Sequence, residues 1–164
     1  MIAIVNVTEN WGIGFENRLL VSISADLKRF RELTFGKTVI YGRKTLETFP
    51  HQKPLQGRKN LILSADSNFS VEEAEVLSSV DALLDAVKAL PPEDVFVIGG
   101  ARVYEELLPY CSTVYVTKTE GTYPADRFFP NLDELPNWSV ENCSEIMEEN
   151  GIFFRYVDYV NLNE

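Results

Sequence analysis

Short apolar runs alternating with helical segments predict an α/β fold. The expected architecture is one domain with a central, mostly parallel β-sheet, helices on both faces and antiparallel strands at the C-terminal end. Three observations carry this. The runs at 2–7, 38–41, 60–63 and 95–98 are rich in Val, Ile and Leu and read as buried strands. Between them lie segments with apolar residues at helical spacing, such as Leu27, Phe30 and Leu33, or Leu83, Leu84 and Val87. The last two apolar runs, 138–143 and 152–160, have no helix between them and suit an antiparallel pair. No repeat, linker or low-complexity stretch divides the chain, so 1–164 is expected to be a single domain.

Each element follows from local chemistry. Residues 2–7 are mostly apolar and form a first, central strand. The stretch 8–23, with Trp11-Gly12-Ile13-Gly14 and Glu16-Asn17, reads as a long loop of the kind that is usually functional. Ser24 is a candidate N-cap and Asp26 sits in the first turn, where a carboxylate suits the helix dipole. That helix runs to Gly36. Thr38-Val39-Ile40-Tyr41 forms the next strand and leads into Gly42-Arg43-Lys44-Thr45, after which Leu46 and Phe49 suggest one or two helical turns before Pro50. A strand at 60–63 ends at Ser64-Ala65-Asp66, and Ala74-Glu75-Val76-Leu77 is a further short strand. Ser79 or Asp81 caps a helix running to Leu90. The run at 95–98 meets Gly99-Gly100, followed by Val103, Tyr104, Leu107 and Leu108 at helical spacing. Residues 112–117 are a strand, and the chain is irregular from there to Pro136.

Charge narrows the functional classes. With 25 acidic against 15 basic residues the formal net charge is −10, which opposes nucleic-acid or anionic-membrane binding. A small anionic ligand remains compatible, because the cations bunch at Arg43-Lys44, Lys53 and Arg58-Lys59. The single histidine, His51, argues against a Ser-His-Asp triad and a His-rich zinc site, so no metal is expected. Cys111 and Cys143 have no metal-ligand spacing and suit a reducing compartment. No basic leader and no run long enough to cross a bilayer is present, so a cytoplasmic protein is expected.

Five features stand out. Gly99-Gly100 between strand and helix suits phosphate, since the backbone can approach a ligand closely; it equally suits a tight turn without a ligand. Gly42-Arg43-Lys44-Thr45 and Ser64 lie at other strand ends, where open α/β sheets bind ligands. Asp26 serves either as a helix-start carboxylate or, if it faces an apolar cleft, as a partner for an amidine-like ring edge. Arg58, beside a glycine turn and near Leu55, is either a solvated loop cation or a bidentate clamp for a carboxylate.

In order and spacing these features resemble the dihydrofolate reductase family, from end to end. The matching stretches are Gly12-Ile13-Gly14-x-x-Asn17, Ala25-Asp26-Leu27-x-x-Phe30, Gly42-Arg43-Lys44-Thr45, Leu55-x-Gly57-Arg58-Lys59-Asn60, Ile98-Gly99-Gly100, Val116-Thr117 and Asp126-x-x-Phe129-Pro130. The resemblance implies NADPH-dependent reduction of 7,8-dihydrofolate to tetrahydrofolate by an enzyme of the kind that antifolates target, and a monomer is expected. Asp26 would grip the pterin's amino-pyrimidine edge and favour protonation of N5, with Thr117 bonded to it directly or through water. Val5, Asn6, Leu27, Phe30, Phe49, Leu55 and Ile98 would line the folate pocket, with Arg58 and Lys53 on the glutamate tail. Asn6, Ile13, Gly14, Asn17 and Leu19 would meet the nicotinamide half of the cofactor. Gly99, Gly100, Ala101, Arg102, Val103 and Tyr104 would hold the pyrophosphate. Gly42, Arg43, Lys44, Thr45, Leu63, Ser64 and Ala65 would take the adenosine half and its 2′-phosphate. The segment 9–23 would be a lid. The chain departs from the family pattern at Val21, where a Trp is usual; at Asn6, where a small residue is common; and at Asp66, an acid close to the expected 2′-phosphate. A pyrimidine reductase of the same fold would not need Asp26, Phe30 and Arg58 together. A binding protein without turnover would be told apart by measuring hydride transfer.

Overall fold

The computed structural model describes residues 1–163. In chain order its elements are β1 (Ile2–Val7), β2 (Gly12–Phe15), β3 (Arg18–Leu19), α1 (Ser24–Thr34), β4 (Thr38–Gly42), α2 (Arg43–Leu46), β5 (Lys59–Leu63) and β6 (Glu75–Leu77). They continue with α3 (Val80–Val87), β7 (Val95–Gly99), α4 (Ala101–Leu107), β8 (Thr113–Thr119), β9 (Arg127–Phe128), β10 (Trp138–Cys143), β11 (Met147–Glu149) and β12 (Ile152–Asn161). Nine strands make one sheet in the order β10-β12-β8-β1-β7-β4-β5-β6, with β11 paired to β12. The six strands from β8 to β6 are mutually parallel, and β10, β11 and β12 pair antiparallel. The expected sheet class is what forms.

Strand alternation sorts the core into two layers. From β1, Ala3, Val5 and Val7 pack with Leu83 and Val87 of α3 and Val103 and Leu107 of α4. Ile2 and Ile4 face the other way, towards Phe30 and Leu33 of α1 and Leu46 of α2. Helices therefore cover both faces, and the central strands are apolar on both sides. Because β1, β4, β5, β7 and β8 run parallel, their C-terminal ends share one edge of the sheet, where ligands bind in folds of this kind.

Four local expectations are corrected. Residues 8–23 are not one open loop: β2 and β3 form a hairpin, and β2 also pairs with β9, giving a separate three-stranded sheet. The turn is Glu16-Asn17, with φ of 49° and 61°, the mirror-image geometry that two-residue hairpins favour. The stretch before Pro136 is likewise not wholly irregular, since it supplies β9. Ser24 does not cap α1; Ile23 occupies the cap position and Ser24 is the first helical residue. The helix capped by Ser79 ends at Val87 rather than Leu90, with Ser79 Oγ accepting from Ala82 N at 3.1 Å.

Candidate active site

The start of α1 is held from the far end of the sequence. Glu149 of β11 accepts hydrogen bonds from Ser24 N at 2.7 Å and Ala25 N at 3.1 Å, supplying the acceptors that Ile23 lacks. This fixes the first turn, which carries Asp26. Opposite it, β1 and β8 pair so that Asn6 lies beside Thr117. Thr117 Oγ1 donates directly to Asp26 Oδ1 at 2.6 Å, and Asn6 Nδ2 donates to Asp26 Oδ2 at 3.2 Å. Thr119, two residues along β8 and so on the same face, donates to Asn6 Oδ1 at 2.7 Å. Both oxygens of the carboxylate are thus held by protein donors.

Burial pushes the Asp26 carboxyl above its ordinary value; the Thr117 and Asn6 hydrogen bonds and the Arg29 charge pull the other way without cancelling it. Arg29 follows Asp26 by one helical turn. Its guanidinium stacks 4.0 Å from the centre of the Tyr156 ring and lies 3.8 Å from Asp158. Its Nη1 is buried without a hydrogen-bond partner.

Around this carboxylate, Phe30, Phe49, Leu55 and Ile98 pack on the α1 face of the sheet, and Leu27 is 52% exposed on α1. The Val5 side chain packs in the layer with α3 and α4, alternating with Ile4. Arg58 donates to Gln56 O and Thr34 Oγ1, both neutral, which leaves most of its five N–H donors unused. Burial and then the neighbouring Arg31 lower its proton affinity. Among the described residues no carboxylate is paired with it. Gly57, at φ 74°, makes this approach possible, since a Cβ there would run into the Phe35 ring. Buried Asn60 staples the loop by bonding Leu55 N, Leu55 O and Arg58 O. Lys53 and His51 are exposed.

Along the same sheet edge runs a groove of about 550 Å3. Ile13, Gly14, Asn17, Leu19, Gly42, Arg43, Lys44, Thr45, Leu63, Ser64, Ala65, Gly100, Ala101, Arg102 and Val103 line it, all of them expected. Gly99 and Gly100, joined by a cis peptide, let the turn approach α2: a Cβ on either would sit 3.1–3.2 Å from Thr45 Oγ1. The Tyr104 ring is buried and its hydroxyl donates to Ile4 O at 2.7 Å. Sequence reasoning missed Arg18 and Arg127, brought to the groove by β3 and β9. Arg18, Arg43, Lys44, Arg102 and Arg127 give five lining cations against one acid, Glu106, in a chain of net charge −10. Such a lining suits a phosphate-bearing ligand. Arg43 is also paired with Asp66 at 3.1 Å and stacked 4.2 Å from the centre of the Phe69 ring.

The β2–β3 hairpin is fastened at both ends. Asp126 Oδ2 accepts from Glu16 N at 3.0 Å, Asp126 N donates to Gly14 O at 2.9 Å, and at the tip Asn17 Nδ2 donates to Glu47 Oε2 at 3.1 Å. At its root, Gly12 is packed so closely that a Cβ would lie 2.8 Å from Ala125 Cβ.

Comparison with known proteins agrees with this geometry. The family model described as dihydrofolate reductase matches residues 1–161. A dihydrofolate reductase of Staphylococcus aureus is 35% identical over 133 residues, covering 81% of this chain and 79% of the relative. One of Bacillus subtilis is 36% identical over 133 residues, covering 81% and 76%. Among solved structures, the dihydrofolate reductase from Enterococcus faecalis complexed with NADP(H) and RAB-propyl superposes with a TM-score of 0.84 at 29% identity, covering 98% of this chain and 95% of that one.

Proposed function

The chain belongs to the dihydrofolate reductase family, and on that premise we propose how its residues carry out the family's reaction, the NADPH-dependent reduction of 7,8-dihydrofolate to 5,6,7,8-tetrahydrofolate. The cation-lined groove fits a cofactor with several phosphates: Arg43, Lys44, Thr45 and Ser64 take the adenosine end, residues 99–103 the pyrophosphate, and Ile13, Gly14 and Leu19 the nicotinamide end. Bound there, NADPH supplies a hydride to the pterin.

Asp26 grips the amino-pyrimidine edge of the substrate and, as a carboxylate, favours a proton at N5, which water delivers. A half-buried charge stabilises a developing cation far more than a solvated one does, because little solvent screens it. Thr117 and Asn6 keep that carboxylate from rotating, so orientation is set before substrate arrives. Phe30, Phe49, Leu55, Ile98 and Leu27 form an apolar wall that excludes water from the pterin. Arg58 offers its unused donors to a carboxylate of the glutamate tail, with exposed Lys53 nearby in sequence for the outer carboxylate. The lid strands close over the nicotinamide end. The working unit in this reading is a monomeric single domain over 1–164 in the cytoplasm; one chain supplies both the groove and the carboxylate.

The observation that carries the reading is a half-buried carboxylate with both oxygens fixed, on the sheet edge that also bears a cationic groove. The test is loss of near-ultraviolet absorbance when NADPH and dihydrofolate are mixed with the protein, with NADH in a parallel cell. Consumption abolished by a tight antifolate is expected. Faster consumption with NADPH than with NADH is also expected, by a margin that the Arg43–Asp66 pair limits, since Asp66 opposes a 2′-phosphate. No consumption while both ligands bind would overturn the reading in favour of a binding protein.

A further inference from the structure

We propose that Asn6 and Thr119 form a positioning relay for Asp26: the Asn6 amide holds one carboxylate oxygen, Thr119 sets which way the amide faces, and the amide turns over when the carboxylate takes a proton. The proposal rests on the reading of Asp26 given above. Three hydrogen bonds in series define the relay in its ionised register. Thr119 Oγ1 donates to Asn6 Oδ1 at 2.7 Å, Asn6 Nδ2 donates to Asp26 Oδ2 at 3.2 Å, and Thr117 independently holds Oδ1 at 2.6 Å.

The donor directions follow from chemistry. An ionised carboxylate only accepts, so Asn6 must present its N–H2 to Asp26 and its oxygen to Thr119. A threonine hydroxyl is able to donate or accept, so it fits this register and the reverse one. When Asp26 is protonated on Oδ2 it needs an acceptor. A half-turn of the amide supplies Asn6 Oδ1, and Nδ2 then donates to Thr119 Oγ1. Asp26 Oδ2, both ends of the Asn6 amide and the Thr119 oxygen therefore keep a partner in both registers, with the Thr119 hydroxyl hydrogen turned away from the amide in the second. Thr119 is 1% exposed, and Asn6 is the one amide in an otherwise apolar strand. A polar pair placed there would be destabilising unless it stayed satisfied in whichever state Asp26 adopts.

Other charged or titratable groups also face Asp26: Arg29 on α1, Tyr104 on α4 and Tyr156 on β12, while Glu149 of β11 sits on the helix start. The relay differs from Arg29 in being neutral. It acts through hydrogen bonding, so added salt leaves its effect in place while screening that of the arginine.

The experiment is a 13C carboxyl NMR titration of the full chain with NADPH bound, with Asp26→Asn assigning the resonance. Asn6→Ala is expected to raise the Asp26 midpoint by about one pH unit, the scale of one hydrogen bond to a charged group. Thr119→Val is expected to raise it by less, at low and high salt alike, and Thr119→Ser to restore the parent midpoint. The pH profile of single-turnover hydride transfer is expected to move with the midpoint in Thr119→Val, with NADPH affinity unchanged. A parent midpoint in Asn6→Ala overturns the relay. If that variant does not fold, a parent midpoint in Thr119→Val overturns it instead. A Thr119→Ser midpoint displaced as far as that of the valine variant assigns the effect to packing and also overturns it. Full turnover in Asp26→Asn would defeat the reading of Asp26 while leaving these titrations as they stand.

Discussion

The carboxylate site and the lid are built by opposite methods. Asp26 of α1 is held by side chains from β1 and β8, two strands in the middle of the sheet, and Thr117 beside it is 2% exposed. The lid hangs on hydrogen bonds in solvent: Glu16 to Asp126, Asn17 to Glu47, and two strands of four and two residues. Exposed bonds of this kind exchange readily with water and contribute little each. On the proposed function the difference would separate two tasks: the Asp26 carboxylate is fixed from the middle of the sheet, while the hairpin, fastened through exposed bonds, would govern access.

The largest expected effect breaks the core side of this contrast. Asp26→Asn is expected to cut turnover at neutral pH by roughly 10²-fold or more, the scale of general acid–base assistance, with NADPH affinity nearly intact. Because burial raises the Asp26 proton affinity in the fold, the folded state binds that proton more tightly than the unfolded chain does. The associated stability is therefore complete below the unfolded value and is lost as pH rises through the folded one. Asp26→Asn is accordingly expected to melt higher than the parent at pH 7 and not in acid. Equal melting at both would show that the carboxylate is not strained by burial.

A smaller effect tests the lid side. Asp126→Ala removes the acceptor for Glu16 N, and is expected to slow turnover by about tenfold at most with no change in melting temperature. A matching loss of melting temperature would mean that lid and core unfold together, ending the contrast. The smallest effect comes from Glu16→Gly. Glu16 adopts φ 49°, which glycine accepts without strain, so the hairpin is expected to tighten by up to about 1 kcal/mol. Slower amide hydrogen exchange across residues 14–19 would report it, and faster exchange would show that chain entropy outweighs the relieved strain.

The same contrast explains what the sequence revealed. The apolar runs of β1, β4, β5 and β7 are legible because each strand is buried on both faces. The lid hairpin is not, since its strands are short and Glu16-Asn17 lacks the glycine that marks such turns. Most of the groove lining was legible because it sits on turns just after strands. Arg18 and Arg127 were not, because only the pairing of β2 with β3 and β9 brings them there. Helical spacing alone does not say on which side of a short helix the Tyr104 ring will be buried. Nor does it pair Asn6 with Thr119, which requires the register between β1 and β8. One signal was present: an asparagine in the middle of an apolar strand.

Glu149 carries a consequence for how the protein is made. The cap on the helix of Asp26 lies 125 residues downstream of Ser24, in a strand that itself needs β12 as a partner. While the chain emerges from the ribosome, residues 24–34 are complete long before the carboxylate that satisfies their first amides has been synthesised. A nascent chain halted before residue 147 has β1 and α1 but no acceptor for those amides, so the first turn of α1 is among the last parts to set. Loss of a few residues from the C-terminal hairpin would thus be felt first at Asp26, on the opposite end of the sequence.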